Sequence, residues 1–318
     1  MENTMRMIDL HCDTLLNCYR DGQCELLDNP GHISLRKMKE GGALAQFFAI
    51  YISRNEMKTM DPYEIFQEVY KVYQIELEKN KDLILPAYCA ADIQKNIELN
   101  KMSALLSIED GVVLSDQMER VEEFYQKGVR LLTLTWNFEN TIGFPCSKDE
   151  KAHQMGLKPF GIHVVEEMNR LGMLIDVSHL SEGGFYDVAK YSKKPFVASH
   201  SCARALCNHQ RNLTDEQLKT LGEKGGVVGV NFCASFLKEG ASRSMIDDIV
   251  AHTVYMADKA GVESIGFGSD FDGIDDELEM KDYSGYLMLL NALSKHFKAV
   301  ELDKICNGNA MRIIKDCL

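Results

Sequence analysis

"MIDLHCDTLL", residues 7–16, carries an apolar run straight into an imidazole and a carboxylate. Met7, Ile8 and Leu10 suit a buried strand. His11 and Asp13 then share one face if the chain stays extended, with Cys12 facing away, because strand side chains alternate. A buried strand that ends on such groups is what a barrel of parallel strands presents at its C-terminal mouth. The rest of the chain decides whether a barrel is there.

Short β-prone runs recur at 5–10, 43–52, 103–108, 129–135, 172–178, 195–199, 225–231 and 264–269. Helix-like stretches lie between most of them. DPYEIFQEVYKVYQIELEKN opens on an Asp-Pro pair and spaces Ile65, Val69, Val72 and Leu77 at helical intervals. KPFGIHVVEEMNRLG has Pro159 near its start and Gly172 as a stop. LTDEQLKTLGEKGG offers Thr214 and Gln217 as a capping box. Strands and helices alternating in this way predict an α/β fold, a (β/α)8 TIM-like barrel, as a single domain over residues 1–318. No G-x-G-x-x-G follows a strand, which argues against a dinucleotide-binding sheet.

Composition sets the limits. The 318 residues are 45% hydrophobic, ample for a large core. A net charge of −13 without a basic cluster argues against nucleic acid and anionic membrane as partners. No apolar stretch approaches the ~20 residues of a membrane span, and MENTMRMIDLHCD lacks an export signal's apolar core. A cytoplasmic location is the expectation. The 10 cysteines include no C-x-x-C pair and read as reduced, buried thiols.

At seven of the eight strand ends stand His11 and Asp13, Glu109 and Asp110, Trp136 and Asn137, His179, His200, Asn231, and Asp270 and Asp272. His32, His153, His163, His209, His252 and His296 fall in loops or helices and read as structural. Each group at the mouth is unremarkable alone, since a lone His or a His-x-Asp more often serves a surface or a cap. Together they suit a borderline divalent ion such as zinc. Five ligands (His11, Asp13, Glu109, His179 and His200) exceed what one tetrahedral ion needs, so two ions are expected, with Glu109 as the bridge. A water between two cations becomes hydroxide near neutral pH, and Asp270 could take and return its proton. That is the chemistry of metal-assisted hydrolysis.

IDLHCD, LLSIEDG, GVRLLTLTWN, LKPFGIHVVEEMNRLGMLIDVSHLSEGGF, PFVASHSCARALCNHQRNLTDEQLKTLGEKGGVVGVNF, IGFGSDFDG and GNAMRII span residue 8 to about 314. In these stretches the chain resembles the renal (membrane) dipeptidase family of zinc peptidases, among the amidohydrolase-like metal-dependent barrels. The resemblance implies one zinc on His11, Asp13 and Glu109 and a second on Glu109, His179 and His200. It implies that Arg211 grips the free C-terminal carboxylate of a dipeptide, and that Asp270 transfers the proton and meets the substrate's amino group. From the residues alone, Arg211 is a surface arginine ahead of a helix and Asp272 a turn residue before Gly273. Homodimerisation is implied by the family. One position departs from it: members of the renal type read LTLTH where this chain reads LTLTW, so Trp136, its sole tryptophan, stands where a histidine meets the substrate.

The function expected is hydrolysis of the peptide bond of dipeptides by a hydroxide bridging two zinc ions. Other readings keep the site for another small amide or lactone, such as an N-acyl amino acid, or make the chain an inactive metal-binding protein. Against the last, a purely structural site is closed by four ligands.

Overall fold

The computed structural model describes residues 5–22 and 25–318. Eight strands form the barrel: Met7–Cys12 (β1), Ala43–Tyr51 (β2), Met102–Glu109 (β3), Val129–Thr133 (β4), Leu174–Asp176 (β5), Val197–Ser201 (β6), Val227–Val230 (β7) and Ile265–Phe267 (β8). Every neighbouring pair is parallel, and the ring closes because β2 pairs with both β1 and β3 while β8 pairs with β1 and β7. All eight fall where the sequence places them. A short strand, Ile84–Pro86, pairs in parallel with the first residues of β3 and is unanticipated.

The helices obey their end signals. Pro62–Lys79 begins with a capping box of Asp61 and Glu64, and Asp215–Glu223 with the box of Thr214 and Gln217. Pro159–Leu171 stops at Gly172 in the left-handed region, with φ 83°. In the first of these, Tyr73 is buried where Val72 was expected, and Val72 is half-exposed.

The core has two compartments. Inside the barrel, Ile8, Leu10, Phe47, Leu105, Leu131 and Val197 pack together, and Ile313 and Ile314 of the last helix, Asn309–Cys317, close the base beneath them. Outside, the opposite strand faces pack against the helices. Apolar side chains thus fill the lower barrel, and the polar groups are left at the other end.

Two strands carry an extra residue near that end. In β1, Asp9 faces Gln46 but Cys12 faces Phe48, three steps against two. In β6, Ala198 faces Val228 and Ser201 faces Val230, again three against two. Such bulges turn a side chain out of the regular alternation. The bulged residues include His11 and His200, which lie within their strands rather than after them. Their rings stack across the mouth at 3.9 Å.

The cysteines correct one expectation. Among the described residues eight are free, three of them (Cys89, Cys146 and Cys233) only partly buried, whereas Cys18 is disulfide-bonded, a pairing that sequence spacing did not reveal. Cys24, also read as a thiol, lies outside the described residues. Among the described residues no helix is long and apolar enough to cross a membrane.

Candidate metal centre

Glu109, the last residue of β3, sits at the centre of the mouth and is 3% exposed. Its Oε1 lies 3.1 Å from His179 Nε2 and 3.5 Å from His200 Nε2. Its Oε2 faces the other way, 3.8 Å from His11 Nε2. His11 Nε2 in turn lies 3.3 Å from Asp13 Oδ2 and 3.7 Å from Asp270 Oδ1. Asp13 occupies the cap position of the helix Thr14–Asp21 without making a cap hydrogen bond, so its carboxylate is free to face the cluster. The five sequence-predicted ligands are therefore brought together, with Asp270 beside them.

Hydrogen bonds fix which nitrogens face inward. His179 Nδ1 donates to Asn137 Oδ1 at 2.9 Å. Ser199 Oγ donates to Asp176 Oδ2 at 2.6 Å, so it accepts from His200 Nδ1 at 2.7 Å. Both Nε2 atoms are then left as bare lone pairs, 3.0 Å apart and beside a carboxylate oxygen. Two lone pairs this close repel one another unless a cation or an acid proton sits between them. Among the buried polar atoms without a hydrogen-bond partner are His11 Nδ1 and Asp13 Oδ1.

The electrostatics agree. Burial, then the Asp13 carboxylate, pushes Glu109 well above the usual carboxylate range. Burial also raises Asp270, with Asp13 adding to it against the pull of His11. Burial opposes charge on His11, but Asp13, Glu109 and Asp270 together overcome it and push it up to about 10. His179 and His200 are held well below the histidine range by burial, then by the neighbouring cations. Two neutral imidazoles, His179 and His200, beside buried carboxyl groups make a donor set suited to divalent ions.

Two buried carboxylates support this cluster, and the sequence reading passed over both. Asp176 takes the Ser178 and Ser199 amides on Oδ1 and the Thr133 and Ser199 hydroxyls on Oδ2. Asp9 takes the His11 and Ser269 amides on Oδ1 and the Tyr286 hydroxyl on Oδ2. A signal for them was present: an Ile-Asp pair precedes a mouth histidine in both IDLH and IDVSH. Backbone conformation is a second feature invisible in the residue pattern. His179, Asp270 and Asp272 all adopt left-handed backbone, with φ of 66°, 62° and 66°. Non-glycine residues in that region cluster at functional sites.

A cavity of about 470 Å³ opens over the cluster, lined among others by Tyr51, Trp136, Arg211 and Asp270. Asp270 Oδ2 accepts from Asn231 Nδ2 at 2.9 Å, which leaves Oδ1 facing the cluster. Arg211 is no surface arginine: it is 5% exposed, its Nη2 donates to the His200 carbonyl, and its buried Nε has no partner. The Trp136 ring leans on Tyr51 at 4.9 Å and on His179 at 6.1 Å. Asp272 keeps the bland reading, accepting from the Thr14 hydroxyl and from the His32 and Ile33 amides to hold a turn. Asn140 ties Asp110 to the Leu134 carbonyl, and His153 accepts from the Ser147 amide away from the cluster.

A closed parallel barrel with histidines and carboxylates gathered at its C-terminal mouth defines a metal-dependent hydrolase of the amidohydrolase-like class. The chain belongs to the membrane dipeptidase family, peptidase family M19, whose model matches residues 1–317, and it is thereby a metallo-dipeptidase. It is 34% identical to an uncharacterised Klebsiella pneumoniae protein of the pqqA 5′ region, over 80% of this chain and 97% of that protein. It is 32% identical to an uncharacterised dipeptidase of Schizosaccharomyces pombe, over 89% of this chain and 72% of that one. A metallopeptidase from Rhodobacter sphaeroides, solved with a phosphinate mimic of the dipeptide L-Ala-D-Ala, superposes with a TM-score of 0.90 at 26% identity, covering 99% of this chain and 100% of that one.

Proposed function

We propose that this chain is a single-domain dizinc dipeptidase in which Glu109 bridges two ions. His11 and Asp13 would complete one site, and His179 and His200 the other. The observation that carries this is the division of Glu109, whose two oxygens face different imidazoles. When bound, a zinc pair supplies hydroxide from water near neutral pH and polarises a scissile carbonyl. The remaining work falls to side chains. Asp270, raised by burial and free at Oδ1, accepts the attacking water's proton and returns it to the leaving amine. Arg211, with its unpartnered Nε, takes the free C-terminal carboxylate through charge-assisted hydrogen bonds. Trp136 narrows the cavity as an apolar wall, because indole has one donor and no proton to exchange. A homodimer is the expected assembly.

The test is a panel of dipeptides, their C-terminal amides and N-acyl amino acids, assayed on zinc-loaded protein. Free dipeptides should be cleaved, and Arg211→Met should weaken them far more than their amides. Turnover of N-acyl amino acids or lactones with no cleavage of any dipeptide would overturn the reading.

A further inference from the structure

Beside the main cavity lies a second, of about 440 Å³, and the two share Asn137, His179, Arg211 and Phe236 in their walls. Their charges are opposite. Asp13, Glu109, Asp270 and Asp275 all line the first, whereas among the described residues no Asp or Glu lines the second. Lys148 and Arg211 do line it. In a chain with 48 acids against 35 Lys and Arg, a wall with two bases and no acid is an uneven allotment.

Several groups in this side cavity keep a donor free for a ligand, among them the exposed Lys148. No ion pair engages Lys148 among the described residues; of the two acids that line the adjoining cavity with it, Glu182 is occupied by His153 and Arg204, and Glu150 forms no ion pair with it. His209 accepts the Arg211 amide hydrogen at Nδ1, 3.3 Å away, so its Nε2 carries the ring hydrogen. Burial, then the charges of Arg211, Lys148 and Arg204, holds His209 down to about 4, so at neutral pH this tautomer persists. Phe236 serves as the shelf, with the His209 ring 4.6 Å from its centroid and the Arg211 guanidinium 5.4 Å from it. Asn137 gives its oxygen to His179, which leaves its amide N–H groups to face a ligand.

We propose that this side cavity is a subsite for an acidic side chain, Asp or Glu, on the C-terminal residue of the substrate, read by Lys148 and His209 beside the carboxylate that Arg211 holds. The proposal rests on the dipeptidase reading above. A second carboxylate one or two methylenes from the first extends into a donor-lined space, and a neutral amide of the same shape forgoes the charge.

The experiment compares Ala-Glu with Ala-Gln, with L- and D-residues at the C-terminal position, on zinc-loaded enzyme. Ala-Glu of the accepted configuration should show kcat/KM at least about tenfold higher, the worth of one charge-assisted bond. The ratio should shrink with added salt and fall to within about twofold in Lys148→Met. A wild-type ratio near one, or a ratio that survives Lys148→Met, overturns the subsite. Calorimetric binding of free glutamate and glutamine, the leaving products, gives a readout without turnover. If no dipeptide is cleaved yet glutamate outbinds glutamine through Lys148, the dipeptidase reading falls and the subsite stands. Cleavage without discrimination does the reverse, and neither result overturns both.

Discussion

His179 and His200 point bare nitrogens at each other across 3.0 Å, and each is held there by a different device. Asn137 fixes the first, and the Asp176–Ser199 pair fixes the second. Partners of this kind set ligand tautomer and ring orientation, and their loss commonly weakens metal binding about 10–100-fold. Asn137→Ala should therefore release zinc to a competing chelator more readily by about that factor. Unchanged affinity would mean that the strained backbone at His179 orients the ring unaided. Asp270 predicts the opposite signature. Asp270→Asn should keep its zinc while kcat falls about 10²- to 10⁴-fold, the usual span for a positioned acid–base group. Full activity in that variant would pass the proton to another group.

The bulges in β1 and β6 are the elements that build the mouth. The second is seated in glycine notches: a Cβ at Gly229 or Gly268 would collide with the Ser199 carbonyl oxygen. Gly268→Ala should therefore cost about 1–3 kcal/mol, as overpacking does. Because it displaces the residue next to His200, it should also weaken zinc binding. Melting temperature and chelator competition measure the two effects, and an unchanged variant would show that the bulge is not braced there. At this scale the sequence was legible where physics is local. All eight strands could be read from apolar runs, and Asp61, Thr214 and Gly172 from capping chemistry. The bulges were not, because an extra residue in one strand is defined only by its partner's register. Asp9 and Asp176 were missed for a related reason: a carboxylate inside a strand reads as an error until its hydrogen-bond donors, three for Asp9 and four for Asp176, are seen around it. Arg211 needed the fold to bury it.

For the whole molecule, acidity acts through histidines such as the half-buried His209. His209 has a folded-state value of about 4 against an ordinary 6.5, so the folded chain binds fewer protons between those values. Its contribution to stability is present in full above pH 6.5 and is lost as pH falls through 6.5 towards 4. Buried carboxyls such as Asp9 and Glu109, whose values are raised, work in the opposite sense. The signature is thus a difference between proteins. In metal-free samples, the urea midpoint of wild type should fall more steeply from pH 7 to 5 than that of His209→Asn, and parallel slopes would contradict it. The central claim is that one carboxylate joins two ions into a single catalytic centre. Its most direct test titrates metal-stripped protein with zinc while following dipeptide cleavage. The account predicts activity that reaches its plateau only at two ions per chain, and a Glu109→Gln variant that neither binds two nor turns over. A plateau at one ion per chain, or full activity in Glu109→Gln, would contradict it.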